Sequence, residues 1–364
     1  MKSLNFALIV IISLIFFSIQ TFGDISYTIS SDVSFKATER TIKSTKTNYP
    51  LTVIDDFGNE VEIPAKPTRI VSLASSCTEL VFAVGGGSLV VGVDDFSDYP
   101  AGVAGITSVG GFTLNKEVIL ALEPDLVLAA ATTLYDTSGT LDTLAANNTP
   151  VVFLDAANIT GIIHDIELLG QILDDEASAN NVATSLQDRL NSVISAAAAR
   201  TVKPKIYLDL PSITPGEYYT FGPGSFGDDL INLAGGINIA ASLTGAYPQI
   251  AGEVVIASNP DIIIFTNGTY FPTTVDAIKE RTGWSEISAV KNEYVHAIDE
   301  NLVQRSGPRI VDGLEKIALL ISEWYNDTIG TSSETVTEED QIISGWTVIP
   351  LSFLVIPIVL HRKR

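Results

Sequence analysis

The chain reads as an α/β protein of two similar lobes, each a parallel sheet covered by helices, joined by a single long helix. Three observations predict this. Short apolar strands alternate with helical segments along most of the chain, the pattern of a sheet buried on both faces. One phrase is written twice: EVILALEPDLVL from Glu117 to Leu128 and EVVIASNPDIII from Glu253 to Ile264, 136 residues apart and identical at five of twelve positions. Between the copies, residues 161–200 keep helical spacing, with Leu186, Leu190, Val193 and Ile194 on one face and no strong breaker.

The elements follow in order. LTVIDDFGNEVEI (51–63) reads as a hairpin turning near Gly58-Asn59. RIVSLA is a strand, CTELVFAVGG a helix stopped by glycines, and LVVGVD a strand. NKEVILALE is a short helix ended by Pro124, DLVLAA a strand, TLDTLAANN a helix and VVFLDA a strand. After the 161–200 helix the alternation resumes with KIYLDL, FGDDLINLAGG, EVVIASNP, DIIIFT, TVDAIKERTGW and YVHAID. The last helix is SGPRIVDGLEKIALLISEWYN, with Pro308 expected in its first turn. Each copy of the repeated phrase is thus a short helix, a proline that ends it, an aspartate and a buried strand. The expected boundaries are an N-terminal lobe over 49–160, a bridging helix over 161–200 and a C-terminal lobe over 201–328.

The two ends differ in kind. Residues 1–23 carry an early lysine, an apolar run from Ala7 to Ile19, and Thr21 and Gly23 as small residues before Asp24, which is signal-peptide grammar; an uncleaved anchor is the alternative. No cysteine follows that run, which argues against a lipid-modified N-terminus. Residues 24–48 read as a spacer rich in Ser, Thr and Lys. Residues 329–341 form an acidic stalk, and 342–361 an apolar segment followed by basic residues. Nineteen residues of helix span about 28 Å, close to the hydrocarbon core of a bilayer. A transmembrane anchor with its basic tail inside is expected, with the body of the chain exported and tethered. An archaeal or single-membrane envelope would need such a tether.

Composition excludes some partners. A formal charge of −22 repels phosphate backbones, so no nucleic acid is expected. The single cysteine, Cys77, allows no internal disulfide and reads as a small packing residue. His164 and His296 stand in no ligand-spaced cluster, so neither a bound metal ion nor a resident cofactor is expected. GPGSFG (222–227) matches G-x-G-x-x-G, but Asp228 and Asp229 occupy the first helical turn, where a pyrophosphate would sit. Its glycines suit a tight turn and a close approach of backbone to ligand. No nucleophile elbow or Cys-His pairing is present, and no catalytic residue is expected.

Phe96 and Tyr99 in DDFSDYP, Phe112 in GGFTLN and Tyr247 in GAYPQI all fall in loops that follow strands or precede helices, where α/β clefts bind ligands. Any one of them could equally cap the core. Together they point to an aromatic-lined cleft for a large, partly apolar ligand. Glu117 and Glu253 open the two copies of the repeat. A helix dipole favours either carboxylate, but the matched pair also presents two anionic knobs suited to docking.

From about Leu51 to Tyr325 the chain resembles the substrate-binding proteins of vitamin B12 and ferric-siderophore ABC importers. The resemblance rests on RIVSLASSCTELVFAVGGGSLVVGV, DYP, EVILALEPDLVLA, GPGSFGDDLINLAGGINIA, YPQI…EVVIASNPDIII and RSGPRIVDGLE in that order. It implies two Rossmann-like lobes joined by one rigid helix with the ligand cleft between them. It also implies a monomer that takes a small-molecule metal chelate to an ABC permease and its ATPase. By the same resemblance Glu117 and Glu253 dock onto permease arginines, Phe96, Phe112 and Tyr247 line the cleft, and Arg305 in DENLVQRSGPR is a polar contact. The metal would arrive inside the ligand. Phe96 and Phe112 stand where cobalamin binders carry tyrosine or tryptophan, and Tyr247 where they carry tryptophan, so a corrinoid, a ferric siderophore and haem all stay open. Two other classes stay open with them: a chelatase-like enzyme on the same bilobal fold, and a tethered sensor or adhesion module.

Overall fold

The computed structural model describes residues 47–329 apart from 213, 215, 270 and 271. The expected signal peptide, most of the spacer, nearly all of the stalk and the C-terminal apolar segment lie outside the described residues. One compact body runs to Trp324, and residues 325–329 complete the last helix as part of a second unit.

The hairpin forms as expected, with β1 (Leu51–Ile54) antiparallel to β2 (Glu60–Ile63). Its turn is organised by Asp55, whose carboxylate accepts from the N–H groups of Phe57 and Asn59. The N-terminal lobe is a five-stranded sheet, β3 (Ile70–Ser72), β4 (Val90–Val93), β5 (Thr107–Ser108), β6 (Leu126–Ala129) and β7 (Val151–Phe153). The spatial order is β5-β4-β3-β6-β7, and every pairing is parallel. Ile70, Val71, Leu126, Val127 and Leu128 are fully buried, as a sheet covered on both faces requires. Helices α1 (Ser75–Ala83), α2 (Lys116–Ala121) and α3 (Thr140–Ala146) follow β3, β5 and β6.

The C-terminal sheet is separate. Strands β8 (Lys205–Leu210), β12 (Ile262–Asn267) and β13 (Val295–Asp299) are parallel, but β9 (Tyr218–Thr220) is antiparallel to β8 and to β11 (Gln249–Ile250). A short β10 (Ile237–Asn238) also pairs with β8. The second lobe therefore carries a mixed sheet where a purely parallel one was expected. β9, β10 and β11 are only two or three residues long, too short for a period to reveal their pairing direction. Its helices are α6 (Phe226–Leu233), α7 (Gly252–Ser258), α8 (Val275–Lys279), α9 (Ser288–Lys291), α10 (Asn301–Gln304) and α11 (Ile310–Ile329). Pro308 precedes α11 rather than lying in its first turn.

The expected 161–200 helix is two helices, α4 (Ile159–Ile172) and α5 (Glu176–Ala198). Asp174 adopts φ +51° and the Asp175 carboxylate caps α5 by accepting from Ser178 N–H at 3.1 Å. Two adjacent aspartates at a left-handed turn and an N-cap are the breaker that sequence reading passed over. The two helices pack closely: a Cβ on Gly170 would stand 2.3 Å from that of Ala179. Helix α5, about 34 Å long by its rise per residue, carries the chain from one sheet to the other. It buries Ala183, Leu186, Leu190, Val193 and Ala197 at helical spacing, and Ala197 meets Gly235 of the second lobe.

The repeated phrase is the same joint built twice. Ile119 and Val255, each two residues after the leading glutamate, are fully buried in their own lobe's core. Glu123 and Asn259, at matched positions, both turn out of the helix with φ +46°. Asp125 and Asp261 then accept from the backbone N–H of Arg69 and Lys205, one residue ahead of Ile70 and Ile206, which pair with Leu126 and Ile262. Arg69 and Lys205 in turn donate to the carbonyls of Leu122 and Ser258, again at matched positions, at 2.8 and 2.9 Å. Each cation closes a helix C-terminus while the aspartate beside it pins the neighbouring strand.

Candidate functional site

The loops at the carboxyl ends of all five N-lobe strands face one cavity of about 700 Å³. Segments 73–76 after β3, Asp94 and Phe96 after β4, Gly111–Leu114 after β5, 130–133 after β6 and 155–157 after β7 line its first wall. The chain order reverses between β3 and β6, and this is where open α/β sheets leave a crevice for ligand. The second lobe supplies Gly224–Phe226, Ala246-Tyr247 and parts of 300–306.

Four of the aromatic and polar residues expected at the cleft are there: Phe96, Phe112, Tyr247 and Arg305. Phe96 and Phe112 form a tilted pair, ring centroids 4.8 Å apart. Gly111 permits it, since a Cβ there would stand 3.0 Å from the Phe96 ring. Phe112 is 51% exposed, so an apolar face is open to the cavity. Across from them Tyr247 packs edge-on to buried Phe221 at 5.6 Å. Tyr99 is not among the lining residues; its ring lies under the Arg309 guanidinium at 4.0 Å. Glu117 and Glu253 are exposed in the first turns of α2 and α7, away from the cavity lining.

Arg305 is held differently from expectation. Its Nη1 donates to Glu79 Oε1 at 2.9 Å and to Asp98 at 2.8 Å. Glu79 belongs to α1 of the other lobe and also accepts from Arg309 Nη2 at 2.6 Å and Nε at 3.0 Å. Its side chain is 2% exposed, so these pairs are sheltered from solvent screening. Sequence reading gave Glu79 no role, because its partners lie more than two hundred residues away.

The remaining charged lining is acidic: Asp94, Asp136, Asp155 and Glu300. Burial pushes Asp94 up to about 6, against the opposing pull of the Ser97 hydroxyl, the Phe96 N–H and Arg305. Burial likewise raises Asp155, helped by the charge of Asp56. Burial raises Glu300, helped by Asp299. At Asp136 burial is outweighed by the Ser138 hydroxyl and by the N–H groups of Leu114, Ser138 and Thr140, so its carboxyl sits below its usual range. Three of these acids stand at or just past a strand end, in VGVD, VFLD and AIDE. The pattern is visible in the sequence, but nothing there says that the ends converge. GPGSFG is a turn and cap: the Ser225 hydroxyl donates to Gly222 O at 2.7 Å and accepts from Asp228 N–H, and Asp228 accepts from Asn238.

An aromatic, acid-bordered cavity between two α/β lobes defines a ligand-binding protein of the bilobal class. Residues 70–302 match the periplasmic binding protein family, and the chain belongs to it. It is 33% identical over 283 residues to an uncharacterized ABC transporter substrate-binding lipoprotein of Bacillus subtilis, covering 77% of this chain and 87% of that one. It is 28% identical over 290 residues to the cobalamin-binding protein of Halobacterium salinarum, covering 78% and 76%. Among solved structures, the periplasmic vitamin B12 binding protein of Vibrio cholerae superposes with a TM-score of 0.60 at 26% identity, covering 72% of this chain and 99% of that one.

Proposed function

We propose that this protein is the extracytoplasmic capture component of an ABC importer and that its cargo is a corrinoid. The charge of the cavity carries the choice of cargo. Among the described residues that line it, the one cation, Arg305, is already paired with Glu79 and Asp98, while the four other charged residues are acids. Neutral side-chain amides on a macrocycle rim would donate to those carboxylates, and Asp94, half ionised near pH 6, can accept or donate. Haem propionates and polyanionic siderophores would meet like charge in a partly desolvated site. Phe96, Phe112 and Tyr247 supply flat apolar contact to the ring. The cobalamin-binding relatives support the same reading.

The metal enters inside the cargo, so the protein needs no resident cofactor and performs no catalysis. Glu117 and Glu253, carried at matched places on similar joints in the two lobes, dock the loaded protein onto cationic positions of the permease, which its ATPase then drives. Residues 342–361 tether the protein to the membrane and 329–341 hold it clear. Equilibrium dialysis of the purified full-length protein against cyanocobalamin, haemin and the trianionic ferric tris-catecholate siderophore ferric enterobactin tests the cargo. Cyanocobalamin should bind at least about 100-fold more tightly than either, a gap of about 2.7 kcal/mol. Tighter binding of haemin or ferric enterobactin would overturn it.

A further inference from the structure

We propose that Glu79 selects the charge of the cargo by keeping Arg305 occupied, and so acts as a positioning residue without touching the cargo itself. The inference rests on the proposed function in one respect, that the cavity holds a cargo. Arg305 lines the cavity, whereas neither Glu79 nor Arg309 does. The Glu79 carboxylate sits behind the wall and draws both guanidinium groups to itself, using Oε1 for Arg305 and both oxygens for Arg309. Asp98 holds the same Nη1 of Arg305 from the solvent side.

The approach is built into the backbone. A Cβ on Gly307 would stand 3.1 Å from Glu79 Oε2, so the 305–309 segment can lie against the carboxylate because that residue is glycine. Arg309 is held a second time, over the Tyr99 ring. With Glu79 in place the cation on the wall is compensated, and the four lining carboxylates set the sign of the site. Without Glu79, Arg305 would keep only the exposed Asp98 as an ionic partner and could turn part of its donor fork to a cargo carboxylate.

The test compares haemin and cyanocobalamin affinities of the full-length protein, measured by equilibrium dialysis, for wild type, Glu79→Gln, Glu79→Gln/Arg305→Gln and Asp98→Asn. Glu79→Gln should raise haemin affinity about tenfold, the scale of one gained charge-assisted hydrogen bond. Adding Arg305→Gln should abolish that gain, which a merely loosened lobe interface would not do. Asp98→Asn, at an exposed side chain, should give a smaller gain of about threefold. A folded Glu79→Gln protein with unchanged haemin affinity, or a gain that survives Arg305→Gln, overturns the proposal. If Glu79→Gln does not fold, Asp98→Asn decides, and an unchanged affinity there overturns it. If wild type binds no cyanocobalamin, the corrinoid reading falls, while the haemin series still decides the role of Glu79.

Discussion

Asp165 is the residue whose environment conflicts most with its charge. It lies on α4, fully buried, beside the carboxyl of Asp56, and neither of its oxygens accepts from an N–H or hydroxyl donor among the described residues. Burial, then the charge of Asp56 and the hydrogen bond shared with it, then the charge of Asp155, push its carboxyl up to about 8. The folded state therefore holds a proton that the unfolded chain releases near pH 4. Stability from this group is complete below the unfolded value and is lost as pH rises through the folded value near 8. Wild-type protein should lose several degrees of melting temperature between pH 6 and pH 8.5, and Asp165→Asn should lose clearly less. Circular-dichroism melts at the two pH values check this, and parallel losses would refute it. The sequence marks Asp165 only as one acid in a helical stretch. Its neighbour Asp56 comes from the hairpin turn, more than a hundred residues earlier.

The duplicated helix–strand joint is the best place to ask how one element depends on another. Asp125 accepts from the N–H of Thr68 and Arg69 and from the Thr68 hydroxyl, whereas the Asp261 carboxylate accepts from Lys205 N–H. Equal phrases are thus anchored unequally. Asp125→Ala should destabilise by about 2–3 kcal/mol and Asp261→Ala by about 1, since each lost hydrogen bond to a charged acceptor leaves a backbone donor to be resolvated. Urea denaturation of both variants reads the difference, and equal losses would contradict it. The joint itself was legible: proline and aspartate after a short amphipathic helix predict its end and the strand beyond. The α4–α5 break was passed over, because its signal is two aspartates at a turn and a cap that do not interrupt the run of helix-compatible residues.

Across both lobes, the leading glutamates of α2 and α7 form a pair only because each sheet grows from the same joint. If they dock the permease together, Glu117→Ala/Glu253→Ala should leave cargo affinity within about twofold and lower uptake at least tenfold, because rim charges act on association with the partner. Either single variant should be intermediate. Binding assays on purified protein and uptake by cells carrying the matching permease separate the two readouts. Cargo affinity that falls together with uptake would argue against a docking role.

From its order of residues alone the chain declares two α/β lobes, the repeated joint, and the aromatics Phe96, Phe112 and Tyr247, because alternation, proline stops and loop aromatics are local patterns. Tyr99 bore the same local signal and ended beneath Arg309, while Arg305, placed at the cleft by the resemblance, does line the cavity but is clasped there by Glu79. Contacts across more than two hundred residues settle those positions, along with the convergence of four carboxylates on one cavity. Such contacts depend on how two sheets face each other, and no short window of sequence carries that geometry.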